Sequence, residues 1–346
     1  MEISRKLPQA LLPWYDENKR QLPWRQDKDP YHIWLSEIML QQTRVEAVKG
    51  YYHRFLQRIP NIEALANVED DALYKLWEGL GYYSRCRNLK KAANVIQEQF
   101  HGKFPENYGD ILSLPGVGEY TAGAVASIAF DQKTPAVDGN VLRLVARLNA
   151  DPTPIDNGAW KQEVRQALAE IYPHRAGDFT QALMELGATI CGPNRKPDCT
   201  ICPCQAFCRG YEQGAPENYP VKPPKKKKRV EEKTVFILSC DGKYALHRRD
   251  NKGLLAGLWE FPNIDNKLTA EQALSKVEAF GLRPKDILHQ VERNHIFTHI
   301  IWQMNGIYME VQEPGGDFTW LTAREIEKSA SLPTAFRQFW EVLNHV

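Results

Sequence analysis

The feature that most constrains the fold is a change in hydrophobic periodicity near the middle of the chain. Up to about residue 210, apolar side chains recur at spacings of three and four, which is typical of helices. After the proline-rich, basic stretch Pro216–Arg229, strand-like runs begin at Thr234–Cys240 and Lys243–Arg249. An all-α first half and an α+β second half are therefore predicted. Further strands are expected at 289–297, 300–303 and 307–311, and helices at 269–280 and 334–344.

Length and composition support two folded domains, since the chain has 346 residues with 43% hydrophobic content. We predict a first domain at 1–215, a linker at 216–232 and a second domain at 233–346. The basic run Lys222–Arg229 is interpreted as a solvated linker rather than an address signal, although near phosphates it would add salt-dependent affinity. A net charge of +1 does not itself indicate nucleic acid. No apolar stretch reaches the roughly twenty residues of a membrane helix, so no membrane partner is expected.

A short turn motif, Leu114–Gly118 with the sequence LPGVG, precedes a predicted helix of small residues at 120–129. Gly116 and Gly118 allow a sharp turn that brings backbone N–H groups and a helix N-terminus against an anion such as a DNA phosphate. An ordinary Pro-Gly turn between packed helices explains the pentapeptide equally well, so its interpretation depends on the rest of the site.

Two carboxylates stand on either side of this motif in the sequence. Glu37 lies among apolar residues with Gln41 and Arg44 on its own helix face, so burial would raise its pKa and suit a general acid. Asp138 precedes an amphipathic helix at 139–147, where the positive helix end would keep it ionised, as a developing cationic sugar requires. A surface glutamate supported by its neighbours and a plain N-cap aspartate are the alternatives.

Five of the seven cysteines lie between Cys191 and Cys208, which indicates metal ligands rather than a secreted disulfide framework. Four thiolates within this stretch are enough for a [4Fe–4S] cluster or for zinc. Cys204 is predicted to be a bystander, and the site would hold the loop with Arg195 and Lys196 against DNA. The predicted ligands are Cys191, Cys199, Cys202 and Cys208.

Together, these features resemble the helix-hairpin-helix glycosylase superfamily, and the cysteines narrow the resemblance to its iron–sulfur branch. Within that branch the chain is similar to the adenine-specific mismatch glycosylases, the MutY family. The resemblance implies a [4Fe–4S] cofactor, although the gap between the first two cysteine ligands is one residue longer here than in the family. The matching segments are 22–25 (LPWR), 34–43 (WLSEIMLQQT), 79–85 (GLGYYSR), 135–140 (PAVDGN) and 182–187 (ALMELG).

The resemblance implies that Glu37 protonates adenine at N7 and later helps a water molecule attack the sugar, while Asp138 stabilises the cationic sugar. The related endonuclease III group carries a lysine for Schiff-base chemistry where this chain has Tyr120, so we predict base hydrolysis without efficient strand cleavage. The remaining family positions of the catalytic and adenine-binding pocket are matched by Asn140, Trp24, Arg25, Leu40 and Gln181.

Recognition of the mispaired oxidised guanine is also implied by the resemblance. Tyr82 suits wedging into a base step as adenine flips out, whereas core packing is the alternative for Tyr82 and Tyr83. The second domain is similar to a Nudix fold, but its helix lacks the paired glutamates that hold magnesium, so pyrophosphate hydrolysis is not expected. The family positions that contact the lesion are matched by Gln42, Thr43, Leu80 and Tyr82, and by the loop residues Phe297, Thr298 and His299.

The sequence therefore predicts a monomeric base-excision enzyme that removes adenine opposite 8-oxoguanine or guanine in duplex DNA. A cytoplasmic location, associated with the nucleoid in a bacterium, is expected. Thr298 replaces the family's usual serine and keeps its hydroxyl, whereas strand-end packing is the alternative for Phe297 and His299. A pyrimidine-lesion glycosylase with lyase activity is disfavoured by Tyr120. A catalytically silent DNA-binding scaffold is disfavoured because both Glu37 and Asp138 are present.

Overall fold

The computed structural model describes residues 1–193, 196–224 and 227–343. Arg195 of the predicted DNA-facing loop and two lysines of the basic run, at 225 and 226, lie outside the described residues. The predicted end of the last helix at residue 344 also lies outside them.

The chain divides into two compact units. One comprises Met1–Asn67 and Arg87–Pro224, and the other comprises Val68–Cys86 and Lys225–Val346. The segment Val68–Cys86, expected in the first domain, thus groups with the second unit. The physical reason is a set of polar contacts to later residues, among them an ion pair between Asp71 and Arg248 at 2.5 Å.

Helices build the first unit, as predicted from the periodicity. Polar side chains cap several of them: Asp29 accepts from the N–H of Tyr31, and Asn157 from that of Trp160. None of the described helices is long and apolar enough to cross a membrane. The bounds are Leu7–Asn18 (α1), Pro30–Leu40 (α2), Val45–Arg58 (α3), Ile62–Asn67 (α4), Asp70–Trp77 (α5, in the second unit), Ser84–Gln99 (α6, which crosses the boundary), Tyr108–Ser113 (α7), Glu119–Phe130 (α8), Gly139–Asn149 (α9), Gly158–Ala169 (α10), Ala176–Thr189 (α11) and Arg209–Glu212 (α12).

Close approaches at two glycines position the segments that carry the candidate site. A Cβ at Gly187 of α11 would lie 2.7 Å from the Cβ of Asn140, so only glycine lets α11 approach the start of α9 this closely. A Cβ at Gly123 of α8 would lie 2.5 Å from the carbonyl oxygen of Pro135. The loop before α9 is thereby held between α8 and α11.

The second unit is built on a seven-stranded sheet in which β1 and β6 run parallel and β5 pairs antiparallel with β6. Helices cover both faces of this sheet: the buried side chains of α13 pack with Phe236 and Leu238, and those of α14 and α15 pack with Val235 and Ile237. The bounds are Arg229–Cys240 (β1), Lys243–Arg248 (β2), Trp259–Glu260 (β3), Asn263–Asp265 (β4), Ala270–Ala279 (α13), Pro284–Ile296 (β5), Ile300–Val311 (β6), Thr319–Thr322 (β7), Ala323–Ser329 (α14) and Thr334–Leu343 (α15).

The prediction of separate strands at 300–303 and 307–311 is wrong, because both belong to the single strand β6. Asn305 and Gly306, which lie between the two predicted strands, are of residue types that are unfavourable in strands. In the structure, Gly306 removes a clash, since a Cβ there would lie 2.5 Å from the ring of Phe339 on α15. The glycine therefore makes room for a packed helix and does not end the strand.

Candidate active site

A pocket of about 590 Å³ opens in the first unit. Its walls come from α2 and the segment after it, the turn Pro23–Arg25, the first residues of α8, the loop before α9, and α11. This volume suits a small ligand with a few polar groups to orient it. Ten of the residues predicted from the sequence line the pocket: Glu37, Asp138, Tyr120, Asn140, Trp24, Arg25, Leu40, Gln181, Gln42 and Thr43.

Glu37 lies in the wall of this pocket with only 6% of its surface exposed. The hydroxyl of Tyr120 donates to Glu37 Oε2 at 2.5 Å. Burial raises the pKa of Glu37 to about 7, the Asp138 carboxylate adds to the rise, and the Tyr120 hydrogen bond and Arg25 oppose it. A carboxyl group with such a pKa can hold a proton at neutral pH and release it during a reaction.

The expectation that Gln41 and Arg44 share the helix face of Glu37 is wrong, and the alternative of a surface glutamate supported by them fails because Glu37 is buried. Helix α2 ends at Leu40, so both residues lie beyond its last turn. The side chain of Gln41 instead donates to Thr121 Oγ1 at 3.4 Å. Glu37 takes its partner from α8, a contact that spacing along one helix does not reveal.

Asp138 is the N-cap of α9, as the structural alternative anticipated. Its Oδ1 accepts from the backbone N–H groups of Asn140 and Val141 at 2.9 and 2.8 Å, and its Oδ2 accepts from Asn140 Nδ2 at 2.6 Å. Burial nevertheless raises the pKa of Asp138, against the lowering by these hydrogen bonds and by Arg143. Burial in the pocket therefore opposes the effect of the helix end, which was expected to keep Asp138 ionised.

A chain of hydrogen bonds connects Asp138 with the cysteine-rich segment. Asn140 accepts at its Oδ1 from Arg143 Nη2 at 2.9 Å, and Arg143 Nε donates to the carbonyl oxygen of Cys191 at 2.9 Å. Arg143 is buried and also donates to the carbonyl oxygen of Gly187 at 2.6 Å. The amide that holds Asp138 is thus itself fixed by α11 and by the first predicted metal ligand.

Glu185 also lines the pocket, and its role was not predicted from the sequence. Its carboxylate is fully buried and binds Arg20 Nε at 2.5 Å and Arg25 Nη2 at 2.8 Å. The two hydrogen-bonded guanidinium groups lower the pKa of Glu185 against its burial. This ion pair fixes Arg25 in the pocket wall. The signal in the sequence was a carboxylate on an otherwise apolar, small-residue helix at 182–187.

The predicted phosphate-binding turn joins α7 to α8 and forms a helix-hairpin-helix unit. Gly116 has a φ of +76°, and a Cβ there would lie 2.5 Å from the side chain of Asn88, so the turn requires glycine. Gly118 is the N-cap of α8, and no side chain caps this end. Both glycines are exposed and do not line the pocket. The arrangement leaves backbone N–H groups at a helix N-terminus available to an anion.

Five of the seven residues predicted to contact the opposite base lie in the second unit, whereas Gln42 and Thr43 line the pocket of the first unit. Tyr82 is 45% exposed, and its Oη lies 3.1 Å from Thr298 Oγ1. Tyr83 is buried against Tyr74, so the packing alternative holds for Tyr83 and not for Tyr82. Leu80 is only 6% exposed. The turn with Tyr82 and the loop with Thr298 therefore meet, although 216 positions separate them.

The loop at 297–299 combines packed and exposed side chains. Phe297 makes edge contacts with Trp302 and His295, at ring distances of 4.7 and 4.5 Å, so the packing alternative holds for Phe297. Thr298 and His299 are exposed. Lys228 Nζ donates to the carbonyl oxygen of Phe297 at 2.8 Å. A packed phenylalanine thus holds a loop that presents one hydroxyl and one imidazole.

The four predicted cysteine ligands line one pocket, and the fully buried Cys204 does not. Arg147 Nη1 donates to Cys191 Sγ at 3.2 Å and supplies a buried positive charge beside the thiols. Within 1–193, 196–224 and 227–343, no three His, Cys, Asp or Glu side chains are arranged to hold a single metal ion. Four thiols around one cavity are a donor set that fits a [4Fe–4S] cluster or a zinc ion.

Comparison with known proteins agrees with this architecture. Residues 35–174 match the HhH-GPD superfamily of base excision DNA repair proteins, and residues 234–342 match the NUDIX domain. An adenine DNA glycosylase of Rattus norvegicus is 35% identical over 96% of this chain and 77% of its own length. One from Buchnera aphidicola subsp. Schizaphis graminum is 37% identical over 78% of each chain. A thermostable thymine-DNA glycosylase of known structure is 31% identical with a TM-score of 0.56, over 60% of this chain and 97% of its own.

The helical unit, its hairpin and its carboxylate-lined pocket define a base-excision DNA glycosylase of the helix-hairpin-helix superfamily, an enzyme acting on N-glycosyl bonds of DNA. Within that class, the chain belongs to the adenine DNA glycosylase family. The predictions of the family, of an all-α domain followed by an α+β Nudix-like domain, and of enzymatic activity are thereby confirmed.

Proposed function

We propose that this protein excises adenine mispaired with 8-oxoguanine from duplex DNA, with adenine opposite guanine as a second substrate. The observation that carries the proposal is Glu37, buried with a pKa of about 7 in the same pocket as Asp138. Two carboxylates in different surroundings provide the acid and the charge-stabilising group of glycosidic bond cleavage. The protein is further proposed to act as a monomer.

The proposed reaction begins with adenine flipped into the pocket. Protonated Glu37 donates its proton to adenine N7, so the electron pair of the C1′–N9 bond can leave with a neutral base. Asp138 stabilises the positive charge that develops on the sugar. The Glu37 carboxylate then accepts a proton from the water that attacks C1′, which regenerates the acid. Tyr120 keeps Glu37 Oε2 oriented throughout, because burial holds the pKa of its hydroxyl well above the usual value.

We assign the recognition of adenine to other residues that line the same pocket. Arg25, fixed by Glu185, can donate to an adenine ring nitrogen, and Gln181 offers one donor and one acceptor to the base edge. Trp24 and Leu40 supply apolar surface against the ring. Because the ion pair with Glu185 already holds the Arg25 side chain, Arg25 does not have to change its conformation when adenine binds.

The central test uses a duplex with adenine opposite 8-oxoguanine, incubated with the protein and analysed with and without alkali. We expect abasic sites that become strand breaks only after alkali, because no lysine is among the described residues that line the pocket and Tyr120 occupies the lyase position. A duplex with thymine opposite 8-oxoguanine is the control and should remain intact. Strand cleavage without alkali, or no adenine release, would contradict the proposal.

A [4Fe–4S] cluster held by Cys191, Cys199, Cys202 and Cys208 is also proposed. When bound, the cluster supplies a covalent cross-link of the segment that follows α11. Arg147 is placed to balance the negative charge of the thiolates, since it already contacts the first of them. Arg143 fixes the carbonyl oxygen of the same cysteine, so the ordered cluster segment supports the amide that holds Asp138.

The choice of ligands can be tested with two serine variants. Cys204→Ser should keep the broad visible absorbance of the cluster and its iron content, because this thiol is buried outside the pocket. Cys202→Ser should lose most of both and lower the melting temperature, because a pocket ligand is removed. Absorbance, iron analysis and thermal melting provide the readouts. Loss of iron in Cys204→Ser with retention in Cys202→Ser would reverse the ligand assignment.

A further inference from the structure

The turn that presents Tyr82, residues Gly79–Tyr82, has an unusual backbone. Gly79, Gly81 and Tyr82 have φ values of +94°, +70° and +48°, and positive values are uncommon for a residue with a side chain such as Tyr82. Trp77 Nε1 donates to the carbonyl oxygen of Gly81 at 3.1 Å, and Arg85 Nη2 donates to the same oxygen at 3.0 Å. The Tyr82 turn is therefore a defined structure that two hydrogen bonds to the Gly81 carbonyl oxygen hold in place.

Glu78 is the C-cap residue of α5 and immediately precedes this turn. Its side chain connects the turn with the last part of the second unit, around α14 and α15. Glu78 Oε1 accepts from the backbone N–H of Leu332 and from Arg337 Nη1, each at 3.1 Å. Its Oε2 forms an ion pair with Lys75 at 2.8 Å, and Lys75 Nζ also donates to the carbonyl oxygen of Ala330 at 3.3 Å. The Glu78 side chain is only 15% exposed, so these charge-assisted contacts are weakly screened.

The same helix that carries Arg337 also supports the loop with Thr298. Phe336 of α15 packs on Trp302 at a ring distance of 6.1 Å, and Trp302 packs on Phe297 at 4.7 Å. Phe297 precedes Thr298, whose hydroxyl lies 3.1 Å from that of Tyr82. Helix α15 therefore contacts both ends of this arrangement. It binds Glu78 at the start of the Tyr82 turn, and it supports the loop whose Thr298 hydroxyl meets the Tyr82 hydroxyl at the end of the turn.

We propose that Glu78 is a positioning residue for the choice of the base opposite adenine, because it sets where the Tyr82 turn stands against the Thr298 loop. Neither Glu78 nor Arg337 needs to touch DNA in this role. The inference rests on the proposed function, since it assigns the Tyr82 turn and the Thr298 loop to the recognition of 8-oxoguanine. A shift of either element by a fraction of an ångström would weaken contacts to the lesion while adenine chemistry continued.

The matched pair of variants is Glu78→Gln and Glu327→Gln. Glu327 binds the same Arg337 at 2.9 Å and Trp340 Nε1 at 2.6 Å, so it joins α14 to α15. Within the described part of the chain, no hydrogen bond or ion pair is seen between Glu327 and the Tyr82 turn. Single-turnover rates are measured for adenine opposite 8-oxoguanine and opposite guanine. We expect Glu78→Gln to lower the ratio of the two rates about fivefold and Glu327→Gln to leave it unchanged. Arg337→Lys, which keeps the charge but not the planar fork, should lower the ratio in the same direction.

Two further measurements separate positioning from a general loss of stability. Hydrogen exchange without DNA should rise at residues 79–85 in Glu78→Gln but not in Glu327→Gln. In a Thr298→Val background, adding Glu78→Gln should no longer change the rate ratio, because both substitutions act on one contact. An unchanged ratio in Glu78→Gln and Arg337→Lys, or an equal loss in Glu327→Gln, would overturn the inference. A wild-type ratio of one would instead contradict the assignment of the Tyr82 turn and the Thr298 loop to the recognition of 8-oxoguanine.

Discussion

Glu37→Gln is expected to lower the rate of adenine excision by about 10³-fold, because it removes the only proton donor assigned to adenine N7. Glutamine has nearly the same shape and can still accept the hydrogen bond from Tyr120, which is 2.5 Å from Glu37 in the wild type. The measurement is the single-turnover rate on adenine opposite 8-oxoguanine. Gln41→Glu, a charge change at a residue that lines the same pocket, is the control against a nonspecific electrostatic effect.

The pH dependence follows from the raised pKa of Glu37, which is about 7 in the folded protein against a reference value of 4.5. The wild-type rate should be highest where Glu37 is protonated and fall as the pH rises through about 7. The residual rate of Glu37→Gln should lack this limb. A wild-type rate that keeps rising between pH 7 and 9 would show that Glu37 does not act as the acid.

The substitution Glu37→Gln should lower activity but raise the stability of the fold. A raised carboxyl pKa means that the folded protein binds the proton more tightly than the unfolded chain, so ionisation destabilises the fold as the pH rises from 4.5 to about 7. Above that range, Glu37→Gln should therefore be more stable than the wild type, by up to about 3 kcal/mol in the free energy of unfolding. Below pH 4.5 the two proteins should unfold alike. An inactive but more stable variant would identify Glu37 as a functional residue kept at a cost to the fold.

How far the sequence predicts this site depends on the range of each interaction. Asp138 as an N-cap could be predicted, because a cap and its helix are adjacent in the chain. The burial of Glu37 was predictable from its apolar neighbours, but its partner Tyr120 lies 83 positions away, beyond what helical spacing reveals. Glu185 was missed for the same reason, since its ion pair with Arg25 spans 160 positions.

The fold shows a similar division. The change in hydrophobic periodicity near the middle of the chain predicts an all-α part and an α+β part, because each helix or strand must bury one face. The single strand β6 was predicted as two strands with Gly306 between them, and the close approach of the Phe339 ring accounts for the glycine. The segment Val68–Cys86 was assigned by chain order, whereas its ion pairs to Arg248 and Arg337 place it with the sheet. Local propensity therefore predicts the elements, and long-range contacts determine how they group.

Asp138→Asn is the second substitution with a large expected effect, about 10²- to 10³-fold on the rate of adenine excision. Asparagine is as good an N-cap as aspartate and can accept from the N–H groups of Asn140 and Val141, so α9 should remain folded. What disappears is the negative charge beside the developing sugar cation, together with the hydrogen bond from Asn140 Nδ2, which an amide nitrogen in the place of Oδ2 cannot accept. Asp151→Asn, outside the pocket and bonded to Trp160 Nε1, is the matched control and should remain active.

The two roles of Asp138, cap and charge, can be separated by binding rather than by rate. A duplex with a pyrrolidine at the target sugar is cationic at neutral pH, whereas one with tetrahydrofuran is neutral and has almost the same shape. The wild type should bind the pyrrolidine duplex more tightly, and Asp138→Asn should lose this preference by about 10²-fold while binding the tetrahydrofuran duplex as before. Glu37→Gln should keep the preference, because its proton acts on the base. Equal weakening toward both duplexes would mean that Asp138 only caps α9, and the charge that cleavage requires would have to come from another group in the pocket.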